Sequence, residues 1–428
     1  MLHIISIVVL VIAFVLTMTR PLNLGALAFA GTFVVGALIV GLPTADILSG
    51  FPVSLVVTLI GVTYLFNVAS ANGTVEYMIA VAVRAVRGKV VLIPTVMFLV
   101  TAFVSGIGAV VAVPIVAPVA LAFAAKHRIS QTYMGLMVIH GCMAGSLSPI
   151  SVYGVLVDGI LEQNGLPSEP LLIFALGFVA NAIAAVGVTA VLGRRSMLEK
   201  PSFTETDEPG VDGSGTRAHG DVITATAAIR ADPEIRCTLL AITVMVSGAI
   251  ALSLDVGLLG ITLAVVLGLR WPERQEVAIK AIPWSVVLLV SGVLTYVGLL
   301  GTIGTVDSIG ESVGALDNVA LATLLLCFIG AIVSAFATSS GVIAALVPLS
   351  LPLLAGSSLG PIGLIGSIVV ASTIVDVSPF SANGAVVVAN STSEVRSRVL
   401  RRLLVHGGIV VVVAPVALWG LVILPGWA

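Results

Sequence analysis

Runs of about 20 apolar residues, long enough as helices to cross roughly 30 Å of hydrocarbon, recur from one end of this 428-residue chain to the other. A backbone inside hydrocarbon must pair its own polar groups, so a chain patterned this way folds as an all-α polytopic membrane protein. Composition agrees: 58% of the residues are hydrophobic and 9% are charged, far from a soluble domain. The first run, MLHIISIVVLVIAFVLTM, has no basic flank ahead of it and no small-residue cleavage site behind it, and reads as a membrane helix rather than a signal peptide. Cys142, Cys237 and Cys327 all fall in apolar runs, without the spacing of a disulfide framework or a metal site. The net charge of -2 gives no footing for nucleic acid.

One polar segment, rich in Gly, Pro, Thr and acid, divides the chain into a first membrane unit of residues 1–193, a linker of 194–235 and a second membrane unit of 236–428. The two units repeat. Pro52, Ser54, Gly61, Gly73, Thr74 and Val75 fall on Pro283, Ser285, Gly292, Gly304, Thr305 and Val306 at a constant offset of 231. TAFVSGIGAVVAVPIVAP from Thr101 parallels SAFATSSGVIAALVPLSLP from Ser334, and SLSPISVYGVLV from Ser146 parallels DVSPFSANGAVV from Asp376 at an offset of 230. Three blocks in one order mark a duplication.

In the first unit the pattern predicts helices over about 2–18, 23–41 and 53–71, then an amphipathic surface stretch (EYMIAVAVRAVRGK) and a dipping hairpin over about 90–125. A broken crossing over about 131–157 and a last crossing over about 171–192 complete it. Five crossings per unit is an odd number, so the second repeat is inverted relative to the first. With both termini outside and the linker cytoplasmic, all 19 Lys and Arg fall on the cytoplasmic side, as the positive-inside rule requires. The opposite side keeps Asp46, Asp158, Glu162, Glu169, Asp255, Asp307, Glu311 and Asp317. The expected fold is therefore two inverted repeats of five crossing helices, each with one re-entrant hairpin and a helix broken at the midplane.

Helix breakers at membrane depth are tolerated only where they are buried in protein or line a wet cavity. Four such places occur: the hairpin tips VSGIGA (104–109) and ATSSGV (337–342), and the crossings carrying SLSPISVYG (146–154) and DVSPFSANG (376–384). Proline removes a backbone donor, so those crossings should split near Pro149 and Pro379. Unwound backbone offers carbonyls to a cation, and half-helix N-termini offer donors to an anion. Ser and Gly also serve plain helix packing. An acid at depth, Asp376, is costly and usually functional, whereas His140 and His406 read as packed, hydrogen-bonded side chains. With no Lys or Arg at the midplane, an anion would be held by hydroxyls, helix N-termini and a co-bound cation.

At these residues the chain resembles the ion-transporter superfamily, and within it the malonate/dicarboxylate carrier family of MatC type, over both units outside the linker. Divalent-anion/sodium symporters of that superfamily carry Ser-Asn-Thr at the hairpin tips. This chain keeps Ser105, has Gly106 and Ile107 in place of Asn and Thr, and has Thr338, Ser339 and Ser340 at the second tip. Their broken crossings resemble Gly-rich TPIGTPPN segments, where this chain departs with SPISVYG and SPFSANG. The resemblance implies that Ser105, Thr338, Ser339 and Ser340 at the tips and Ser148, Ser151, Ser381 and Asn383 at the breaks read the carboxylates of a small dicarboxylate. It implies coupling Na⁺ held around Ser105, Ser146 and Ser148 in one unit and Thr338, Asp376 and Ser378 in the other. It further implies an elevator homodimer, with scaffold helices over about 1–41 and a transport part over about 53–192 of the first unit.

The reading is a cation-coupled importer of malonate or a C4-dicarboxylate in a bacterial inner membrane, driven by Na⁺ or H⁺, with no other cofactor. A cation/proton antiporter centred on Asp376 is the rival. A membrane-embedded enzyme would need a nucleophile with its base, a metal cluster or a phosphate loop, and the sequence offers none. A channel fits poorly with hairpins that do not span.

Overall fold

The computed structural model describes residues 2–193 and 232–425, apart from 21, 86–89, 110–111, 253, 306–307, 309–318, 337 and 356–358. The expected linker lies almost wholly outside the described residues, as do Asp307, Glu311 and Asp317 and the end of the amphipathic stretch. Every element among the described residues is helical. The first unit runs α1 (Leu2–Thr19), α2 (Leu24–Val40), α3 (Val53–Ala71), α4 (Thr74–Ala85), α5 (Ile93–Gly106), α6 (Ala112–Lys126), α7 (Gln131–Gly145), α8 (Val152–Gln163) and α9 (Pro170–Gly193). The second runs α10 (Pro233–Leu252), α11 (Val256–Arg270), α12 (Trp284–Thr302), α13 (Val319–Ser334), α14 (Ser339–Ser350), α15 (Pro361–Ile374), α16 (Ala382–Ala389) and α17 (Ser393–Ile423). Among the described residues five stretches are long and apolar enough to cross a membrane: α3, α9, α12, α17 and the broken span Pro361–Ala389. The apolar side chains these helices turn outward, such as Ile183 on α9 and Leu421 on α17, cover a face that only hydrocarbon or protein would solvate. This is a multi-pass helical membrane protein.

The duplication is visible in local chemistry. Asn23 caps α2, accepting from the backbone N–H groups of Gly25 (2.9 Å) and Ala26, and its counterpart Asp255 caps α11 by accepting from Leu258 at 2.7 Å. A short polar side chain at this place satisfies donors that a helix start leaves orphaned. Packing repeats as well: α2 packs on α12 and α11 on α3, while α5 packs on α7 and α13 on α15.

Glycine sets the first of these pairs. A Cβ on Gly61 would sit 1.9 Å from the Gly257 carbonyl oxygen, and one on its counterpart Gly292 would sit 2.0 Å from that of Gly25. Without a hydrophobic drive between helices in lipid, such backbone-to-backbone approach supplies the dispersion that holds them. Replacing Gly61 or Gly292 by Leu is therefore expected to destabilise the folded protein by about 1–3 kcal/mol, lowering its thermal unfolding midpoint in detergent. Gly301→Leu, where the added side chain meets open space, should leave the midpoint unchanged.

Candidate functional site

Both proline-bearing crossings split where expected. α7 ends at Gly145 and α8 starts at Val152; α15 ends at Ile374, a single tight turn covers Val375–Val377, and α16 starts at Ala382. The downstream limb of the first break is longer than its sequence pattern suggested, reaching Gln163 rather than 157.

The two breaks are built alike. Ser151 Oγ donates toward the carbonyls of Ser148 (2.9 Å) and Ser146, and its counterpart Ser381 Oγ toward those of Ser378 (2.8 Å) and Asp376 (2.6 Å). Ser381 Oγ also accepts from the N–H of Gly384 at 3.1 Å, capping α16. Ser148 and Ser378 close the turns by accepting from Ile150 (3.5 Å) and Phe380 (3.3 Å). One serine per break thus partners carbonyls that the broken helix frees. Gly154 and Gly384 complete the fit, since a Cβ on either would lie 1.9 Å from the Ser148 or Ser378 oxygen.

The hairpins bring their tips to the breaks. α5 ends at Gly106, and Gly108 takes a left-handed φ of 107° in contact with Val62 of α3 and the Ile150 carbonyl. Gly145 at the end of α7 lies against the Ala102 carbonyl of α5, with room for no Cβ. In the second unit Ser339, the first residue of α14, shares a 2.9 Å hydrogen bond with Ser334, reaches the Ser372 carbonyl at 3.4 Å and stands beside the Asp376 carboxylate.

A cavity of ≈ 50 Å³ lies where these pieces meet. Ser105 from the first tip, Ser146 and Ser151 from the first break and Asn383 from the second line it. That volume takes about three or four water-sized spheres, enough for an ion or one carboxylate group. Behind Asn383 stands Asp376, 3% exposed, whose Oδ2 accepts from Asn383 Nδ2 at 3.1 Å. No Lys or Arg lines the cavity. Its polar lining includes the hydroxyls of Ser105, Ser146 and Ser151 and the amide of Asn383, with the Asp376 carboxylate behind. Among the described residues no cluster of three His, Cys, Asp or Glu could hold a metal ion.

The remaining expected residues spread out. Ser148, Ser340 and Ser378 are buried near the breaks and tips without lining the cavity, and Thr338 is exposed at the start of α14 with no side-chain capping bond. Lining residues with polar groups that were not given a site role from sequence include Cys142, whose thiol donates to Ser105 Oγ at 3.6 Å, and Tyr153. The signal was available in the duplication, because Tyr153 occupies the position of Asn383 and Cys142 that of Ser372 at the offset of 230. His140 and His406 are packed and hydrogen-bonded: their Nε2 atoms lie 3.0 Å apart, and His140 Nδ1 meets Asn181 Oδ1 at 3.0 Å.

The fold is similar to that of a solved membrane protein. The YdaH transporter of Alcanivorax borkumensis, whose crystal structure is described as revealing an unusual topology, superposes with a TM-score of 0.56 at 15% identity, over 93% of this chain and 90% of its own. Residues 1–146 match the family model described as "Dicarboxylate carrier protein MatC N-terminus". The resemblance to MatC-type carriers stands on that match. No curated protein matches the chain.

Ser381→Ala removes both the cap of α16 and the partner of two freed carbonyls. It is expected to cost about 1–2 kcal/mol, read as a lower unfolding midpoint, and Ser151→Ala to cost less, since no capping bond from Ser151 is present.

Proposed function

We propose that the protein is a secondary active transporter that carries a small dicarboxylate, malonate or a C4-dicarboxylate, into the cell together with Na⁺. One observation carries this reading: two repeat-related helix breaks and a hairpin tip converge on a single buried, base-free cavity with one carboxylate, Asp376, behind it. Paired breaks in duplicated units are the usual mark of a secondary transporter's binding site. In this arrangement the carboxylates are read by Ser105, Ser151 and Asn383, with Ser148, Thr338, Ser339, Ser340 and Ser381 around them. Asp376 and the carbonyls and hydroxyls near Ser146, Ser148 and Ser378 hold the cation, which offsets the substrate's negative charge in place of an arginine. The site lies in the bacterial inner membrane, termini outside, linker 194–235 cytoplasmic, in a homodimer.

The two units act as inverted repeats, each with a re-entrant hairpin, and exchange conformations to give alternating access as an elevator. Their packing is unequal in a way that supports this. α8 packs on α3 and α14 on α12, whereas among the described residues the counterpart pairs, α16 with α12 and α6 with α3, have no comparable contact. An inverted duplication caught in one of two states has this asymmetry, and its other state swaps the pairs. We draw the scaffold boundary after α3, at residue 71 rather than 41, because the glycine contact of α3 with α11 matches that of α12 with α2. The cavity's size fits an occluded site whose tips must part to admit a diacid.

The rival reading is cation/proton antiport, favoured by the single buried carboxylate Asp376. Labelled malonate and succinate uptake into proteoliposomes separates the two: uptake following an inward Na⁺ gradient at fixed pH is expected. Absence of diacid uptake with Na⁺/H⁺ exchange instead would transfer the protein to the antiporter reading. Asp376→Asn should lower Na⁺-driven uptake at least tenfold while the purified variant stays monodisperse; uptake at the wild-type rate would remove Asp376 from cation binding.

A further inference from the structure

α9 and α17 flank a trough on the outer face of the molecule, remote in character from the small polar site. The backbone N–H of Thr392, just before α17, donates to Gln131 Oε1 at 2.9 Å, and Tyr133 OH donates to Thr189 Oγ1 at 3.1 Å near the end of α9. The start of α17 and the end of α9 therefore share one end of the structure at the head of α7, and the two helices run antiparallel from it. Leu136 of α7 and Val370 and Ile374 of α15 floor the trough, which has a volume of ≈ 980 Å³.

The lining of α17 is sharply divided. Arg398, Arg401 and Arg402 stand at the shared end on one face, and Val405, Ile409, Val413 and Leu421 continue the same face without another charge. From Val405 to Leu421 the helix rises about 24 Å at about 1.5 Å per residue, close to the length of an extended long acyl chain. α9 offers a matching apolar face through Val179, Ile183 and Val191. Among the described residues the three arginines make no ion pair and no hydrogen bond, and Glu394, one turn earlier, pairs with none of them. Three guanidiniums at one end of an apolar trough, with no acid paired to them among the described residues, are an incomplete electrostatic arrangement. Arginine forks match phosphate oxygens in shape and charge.

We propose that this trough binds one anionic phospholipid, its phosphate on Arg398, Arg401 and Arg402 and its acyl chains along the α9 and α17 walls. The arginines lie at the membrane edge that the positive-inside rule makes cytoplasmic, where anionic headgroups are available and basic pockets between membrane helices capture them. A second copy of this chain is a poorer occupant. A two-fold axis along the membrane normal would set the arginines of both copies at the same depth, like charge facing like charge. Simple annular lipid would need no arginine cluster. The inference is independent of which substrate the transporter carries.

Native mass spectrometry of the full-length protein, exchanged into detergent with phosphatidylglycerol or phosphatidylcholine, tests this. One phosphatidylglycerol per chain should persist at collision energies that strip phosphatidylcholine. The triple variant R398Q/R401Q/R402Q should lose that retention at least tenfold. Ile183→Trp with Val413→Trp, which fills the trough and leaves the arginines in place, should lose it as well. Equal retention of the two lipids, full retention by the variants, or cysteine cross-linking of two copies across this face would each overturn the proposal.

Discussion

A carbonyl or amide without a partner in hydrocarbon costs several kcal/mol, and the rest of this structure is arranged around the two places where helices are broken in spite of that cost. Proline at 149 and 379 prevents the helices from continuing, and serine at 151 and 381 supplies hydrogen bonds to carbonyls that the break exposes. Glycine at 154 and 384 lets the downstream helix start pass within contact distance of the Ser148 and Ser378 oxygens. A break closed by the protein's own serine is stable without a ligand. Pairing within the protein is what lets such a break persist at membrane depth.

Convergence of the breaks on one cavity depends in turn on glycine elsewhere. The contacts of Gly61 with Gly257 and of Gly292 with Gly25 bind α3 to α11 and α12 to α2 at backbone distance. They fix four helices from the two units into one body. Against it, α8 and α14 make contacts that their repeat counterparts do not match. A reciprocally packed group beside an unequally packed one is what the proposed exchange between two positions requires.

Much of this was legible in the chain because the physics is local. Proline at depth announces a break, the offset of about 230 residues announces the duplication, and an acid such as Asp376 in an apolar run announces a reason for being there. What was not legible depended on tertiary packing. Thr338 and Ser339 look equivalent in sequence, yet Ser339 turns inward to Ser334 and Asp376 while Thr338 is exposed. Tyr153 and Cys142 carry no obvious polar signal, and only their counterparts Asn383 and Ser372 reveal them. His140 and His406 were legible as packed side chains, but their pairing joins positions on opposite sides of the linker. The downstream limb of the first break continues as helix past Asp158, an acid that in sequence marks the outer end of the crossing, to Gln163.

The central claim is that duplicated units exchange their packing across the fixed group of helices, and disulfide trapping tests it most directly. A Cβ on Gly159 would lie 3.5 Å from Leu55 Cβ, within disulfide range, so cysteines at those positions should cross-link in the state described, on a background with the three native cysteines replaced. The counterpart positions are Val286 and Ala389. The account predicts that Val286→Cys with Ala389→Cys also cross-links in membranes, that either bridge stops transport, and that reduction restores it. Cross-linking of the first pair alone, under every ion and substrate condition, would contradict exchange between the two units.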